Sequence, residues 1–153
     1  MKNLFDRGLA DKIKQRIMCV HAESEPLWGS MTPVEILAHC TSGLQMATGV
    51  INAKRAPFPA NLIGLLIKPV VFGDDKPMRR NSPSSPELWS VHPAKGDIER
   101  ERARLNAVID DFVSQGPPCC SRHPHPFFGS LQPQQWAILM YKHLDHHLRQ
   151  FGV

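Results

Sequence analysis

Five segments of this chain place apolar residues at helical intervals, and almost nothing in it alternates with the two-residue period of a strand. That pattern narrows the fold to an all-α one. The first segment runs from about Leu9 to Val20, with Leu9, Ile13, Ile17 and Val20 on one stripe. The second opens at "MTPVEILAHC", where Thr32 suits an N-cap, Pro33 the first helical position, and Glu35 completes a capping box. Its period continues to about Asn52. A third, short and apolar, covers Ala60 to Phe72, with Pro69 as the point where it would bend. The fourth spans Asp97 to about Ser114, with Ile98, Leu105, Val108, Ile109 and Phe112 facing inward, and "QGPP" ends it. The last begins at Pro133 and runs to about Gln150. The expected architecture is an antiparallel four-helix bundle with one additional short helix and a long proline-rich loop over residues 73–96.

At 153 residues the chain fits a single domain, 1–153, able to bury a core without disulfides. The net charge is +4, but the basic residues are spread along the sequence. The densest run, Arg100, Arg102 and Arg104, alternates with Glu99 and Glu101 and reads as a solvated helix face. A nucleic-acid surface would need a one-signed stripe with aromatics interleaved, so that class is set aside. "MKNLFDRGLADKIKQ" has charges where a secretory leader would be apolar, and "ANLIGLLIKPVVFG" is too short and broken to span a bilayer. Cys19, Cys40, Cys119 and Cys120 form no disulfide framework and read as free thiols in a reducing cytoplasm.

"YKHLDHHLRQ" carries three histidines on the last helix. At about 100° per residue, His143 and His147 fall either side of the line through Trp136, on the core-facing stripe, with His146 at its edge. Asp145 falls on the opposite face, where Lys142 and Arg149 are its expected partners. Imidazoles four residues apart can converge on one ion, as in metalloproteases, but the glutamate those enzymes need after the first histidine is replaced by Leu144. A catalytic site of this kind takes three protein ligands and leaves a position open. The third ligand is expected to be His39, which shares a stripe on the second helix with Gly43, Met46 and Val50; Gly43 would leave room beside its ring. Each of these histidines taken alone reads as a hydrogen-bonded core residue more readily than as a ligand. The phase of all three together is what favours a metal. The candidate ligands are thus His39, His143 and His147, for a divalent cation such as Zn, Ni or Fe. Glu35, one turn before His39, is assigned to the capping box rather than to the site. "CCSRHPHP", with Cys119, Cys120, His123 and His125, lacks the spacing of a zinc knuckle and reads as a tight approach to the last helix.

"LWGSMTPVEILAHC", "GDDKPMRRNSPSSPE" and "HPHPFFGSLQPQQWAILMYKHLDHHLRQFGV" together resemble an uncharacterised bacterial branch of the DinB-like superfamily of metal-binding four-helix bundles. The resemblance covers nearly the whole chain. It implies a three-histidine site, which maps onto His39, His143 and His147. It also implies activation of a low-molecular-weight thiol (bacillithiol, mycothiol or glutathione) for transfer to an electrophilic substrate. Many relatives carry an Arg-Gly-Gln run after the paired histidines, whereas Leu148, Arg149 and Gln150 follow here. The rival expectation is a non-catalytic, stress-related or binding bundle, with a structural or vestigial metal and a homodimer face on the apolar helix 60–72. In the catalytic reading, the loop 73–96, with Arg79, Arg80 and Trp89, would fold over the site and hold an anionic substrate.

Overall fold

Helix α1 (Arg7–Met18) starts where the Asp6 carboxylate accepts from the backbone N–H of Leu9, and α4 (Ile98–Gln115) starts the same way, with Asp97 accepting from Arg100. Helix α2 (Pro33–Ala47) opens on the expected capping box: Thr32 Oγ1 accepts from Glu35 N, and Glu35 Oε2 accepts from Thr32 N at 2.8 Å. It ends five residues sooner than its apolar period suggested, because Gly49 takes a left-handed backbone (φ +78°) and turns the chain. Helix α3 (Ala60–Val71) contains Pro69, and α5 (Pro133–Gln150) has the expected bounds. The structure, a computed structural model, describes residues 1–80, 88 and 97–153; most of the proline-rich loop, including Trp89, lies outside them.

The fold is all-α, a helical bundle with one extra helix and, among the described residues, no strand. Helix α2 packs against α4 and α5, and α1 packs against the same two from the other side, so α1 and α2 are diagonal partners. Helix α2 is buried almost all round, from Ile36 and Leu37 through Leu44 to Ala47. Around it, Ile13, Ile17, Leu105, Ile109, Phe112, Trp136 and Leu144 form a continuous apolar core. On α1 the inward stripe is Ala10, Ile13 and Ile17, with Leu9 only half-buried.

Two expectations about charge are corrected. Glu101 and Arg102 are buried, not solvated, because positions 101, 105, 109 and 112 lie on one helical stripe that faces α1 and α2. Arg102 tolerates this by donating to the Val20 carbonyl and to Glu99, both at 2.6 Å. Lys142 does not pair with Asp145. It is buried and donates to the Val71 carbonyl at 2.7 Å, with Asp74 at 3.5 Å, tying the end of α3 to α5. Asp145 is itself largely buried and bridges Arg16 and Arg149, each at 2.7 Å.

Helix α3 rests on the segment before α5: a Cβ at Gly64 would overlap the Phe127 carbonyl, and Lys68 donates to the carbonyl of Ser130. Leu62, Ile63, Leu65, Leu66 and Val70 remain exposed, Leu66 by 70%. Among the described residues, no helix is long and apolar enough to cross a membrane.

Candidate metal centre

The middle of α2 and the C-terminal half of α5 face each other across the core, and three imidazoles meet there. Nε2 of His39 stands 3.0 Å from Nε2 of His143, which stands 3.1 Å from Nε2 of His147. The ring centroids are 4.6–4.9 Å apart, and one nitrogen of each ring lies within 4.8 Å of the other two. His39 and His147 are buried. Val50, expected on the stripe of His39, lies beyond the end of α2 and is exposed.

Three backbone and side-chain features set this geometry. Gly43, one turn after His39, makes room for the ring of His143 rather than for that of His39: a Cβ there would stand 2.9 Å from Cε1 and 3.0 Å from Nδ1 of His143. Gln150, one turn after His147, places its Oε1 3.0 Å from His147 Nδ1. The Gln150 amide nitrogen donates to the Trp28 carbonyl at 2.8 Å, so its oxygen is the end presented to His147. His147 is therefore the Nδ1–H tautomer, with a lone pair on Nε2 pointing into the cluster.

That tautomer leaves the metal-free cluster electrostatically incomplete. A neutral Nε2 is either a donor or an acceptor. If His143 Nε2 accepts from His39, it meets the lone pair of His147; if it donates to His147, it has nothing to accept with toward His39. A cation drawing on three lone pairs removes the conflict. Ligands about 2.0–2.1 Å from a tetrahedral ion stand about 3.3 Å apart, close to the spacings of the two Nε2 pairs. The three histidines could therefore hold a metal ion.

Proton affinity points the same way. Burial holds His39 at about 4, partly offset by a hydrogen bond to the Leu88 backbone, and holds His147 at about 3, reinforced by the charge His39 would carry. Burial and the two flanking imidazoles hold His143 well below the usual value. All three rings are neutral at pH 7, the form that ligates.

The other candidates stand apart from the cluster. His146 lies beside Trp28, with ring centroids 5.8 Å apart. His125 accepts at Nδ1 from the backbone N–H of Phe127 and Phe128, and so shapes the approach to α5. Cys119 and Cys120 sit against the carbonyls of Phe112 and Pro133, and burial raises both thiols, Cys120 to about 12. The histidine triad is the one metal-sized cluster among the described residues. Gln150 and Trp28 escaped the sequence reading; the signal for Gln150 was its position three residues after His147, on the same helical face.

Residues 23–152 match the family described as "Protein of unknown function (DUF1569)". The chain belongs to that family. The match takes in His39, Gly43, His143, His147, Gln150 and Trp28, so the whole candidate centre lies within the DUF1569 region, whereas α1 precedes it. Searches of curated proteins and of solved structures gave no match.

Proposed function

We propose that this DUF1569 protein is a cytoplasmic metal-dependent enzyme of the DinB-like type. His39, His143 and His147 would hold a divalent cation, Zn, Ni or Fe, beside which a low-molecular-weight thiol or a water is activated toward an electrophilic substrate. The observation that carries this reading is the convergence of three Nε2 atoms, with the tautomer of one fixed by Gln150. When bound, such a cation lowers the pKa of a coordinating thiol or water and so supplies a nucleophile at neutral pH. The chain's own contribution is to keep three imidazoles neutral by burial and to aim them, with Gln150 behind His147 and the Leu88 backbone beside His39. Asp145 is committed to two arginines and takes no part as a base.

Metal analysis of the purified protein tests the centre. About one ion per chain, lost in both His143→Ala and His39→Ala, supports it; a metal-free, fully stable protein that takes up no added Zn, Ni or Fe overturns it. A panel of thiols with a chloro-nitrobenzene electrophile then tests the chemistry, with turnover expected only in the metal-loaded protein.

The apolar surface of α3 favours a second reading. Soluble monomers seldom expose a contiguous apolar patch beyond a few hundred Å², and Leu62, Ile63, Leu66 and Val70 lie on one short helix whose lone charge, Lys68, is engaged by Ser130. A face so lacking in charge is self-complementary, which fits a non-catalytic bundle pairing with a second copy around a structural metal. A dimer mass with an inert centre would favour it; a monomer mass would remove it.

A further inference from the structure

We infer that the guanidinium of Arg80, stacked on Trp28 at the mouth of the histidine centre, is a subsite for the carboxylate or phosphate of a small anionic substrate. This rests on the reading of that centre as a small-molecule site. Arg80 Cζ lies 4.2 Å from the Trp28 ring centroid, Trp28 lies 5.8 Å from His146, and His146 lies 5.0 Å from His147. Three successive ring contacts thus lead from the cation to a candidate ligand.

Among the described residues the cation has no counter-ion. Arg80 is exposed and forms no ion pair among the described residues. Asp145 is engaged by Arg16 and Arg149, Asp74 by Lys76 and Lys142, and Asp75 by the backbone N–H of Lys2. A guanidinium lying on an aromatic face uses its plane for stacking and leaves its N–H edge for two parallel hydrogen bonds to a carboxylate or phosphate.

The platform is also rigid. Leu27 N donates to the Gln150 carbonyl at 2.7 Å, and the Gln150 side chain donates to the Trp28 carbonyl at 2.8 Å. Gly29 follows in a left-handed conformation (φ +75°), where a Cβ would stand 2.7 Å from Gln150 Nε2. Gln150 therefore orients His147 with one end of its amide and seats the Trp28 platform with the other. One side chain thus links the candidate ligand His147 to the Trp28 platform on which Arg80 lies.

Titration of the full-length protein with inorganic phosphate and, separately, with acetate tests the subsite, reading the Trp28 indole N–H resonance, assigned by Trp28→Phe. A saturable shift with one or both anions is expected, weakened at least tenfold in Arg80→Gln and less in Arg80→Lys; the stronger anion identifies the ligand chemistry. An unchanged affinity in Arg80→Gln, or no saturable shift in the native chain, overturns the proposal. Run on chelator-treated protein, the titration does not depend on the metal. Failure of the subsite with one ion per chain intact, and Arg80-dependent binding to a protein that takes no metal, are therefore separate results. Arg80→Gln keeps its metal content in either case.

Discussion

Gly43 on α2 lies directly against the ring of His143 on α5, so close that any side chain at 43 would press on the Cε1–Nδ1 edge of the imidazole. Replacing a helical glycine by alanine ordinarily stabilises by about 0.5–1 kcal/mol. Here the added methyl meets a ring already held between His39 and His147, and the ring must tilt. Gly43→Ala is expected to fold, with a melting temperature within a few degrees of the native protein. Its affinity for a divalent ion should fall at least tenfold, as measured by competition with a chelating dye. Unchanged affinity would show that the ring has room to spare.

Gln150 gives a complementary test from the other side of the cluster. Removing a hydrogen-bond partner behind a ligating imidazole typically costs 10–100-fold in metal affinity. Gln150→Leu keeps the bulk and removes both the acceptor for His147 Nδ1–H and the donor to Trp28. A loss in that range is expected, with about 1 kcal/mol of stability. Urea unfolding and metal titration on the same samples separate the two effects.

Asp145 should behave oppositely. Its carboxylate joins α1 to α5 through Arg16 and pairs along α5 with Arg149. Both arginines are partly solvated, which moderates the loss. Asp145→Asn is expected to destabilise by about 1–2 kcal/mol in urea while leaving metal stoichiometry unchanged. A variant that lost the ion as well would place Asp145 in the centre.

A fourth expectation concerns acid. Burial, aided by the charge of Lys68, holds the folded-state pKa of His125 at about 4, whereas the unfolded chain takes its proton near the ordinary value of 6.5. The unfolded state therefore binds more protons between these values. The stability contributed by neutral His125 is complete above about 6.5 and is lost as pH falls toward 4. Between pH 7.5 and 5 this amounts to about 2 kcal/mol at most. Urea unfolding should show that the native chain loses more stability over this interval than His125→Asn, whose amide oxygen can still accept from Phe127 and Phe128. Parallel losses in the two proteins would contradict it.

Local chemistry made much of the fold readable in advance. Thr32, Pro33 and Glu35 announce the start of α2 because a capping box is satisfied within four residues, whatever the rest of the chain does. The inward phase of His143 and His147 was likewise legible, since helix geometry alone puts them on the side of Trp136. Buried charge was not. Position 101 shares the helical phase of Leu105, Ile109 and Phe112, but the alternation of arginine and glutamate reads as solvated, and the burial of Arg102 depends on where Val20 and the end of α1 come to rest. Asp145 took Arg16 as a partner from 129 residues away, while Lys142, its neighbour on the same helix, was drawn under the end of α3.

What the residues determined unaided was therefore periodicity: five helices, the capping box of α2, and which imidazoles turn inward. Only the packing of α2 against α5 decided that His39 meets His143 and His147 at one height, that Gly43 admits the middle ring, and that Gln150 reaches both His147 and Trp28. The physical reason is one of range. Helical phase is set by hydrogen bonds four residues apart, whereas the axial register of two helices is set by the summed fit of many distant side chains, which no short stretch of sequence contains.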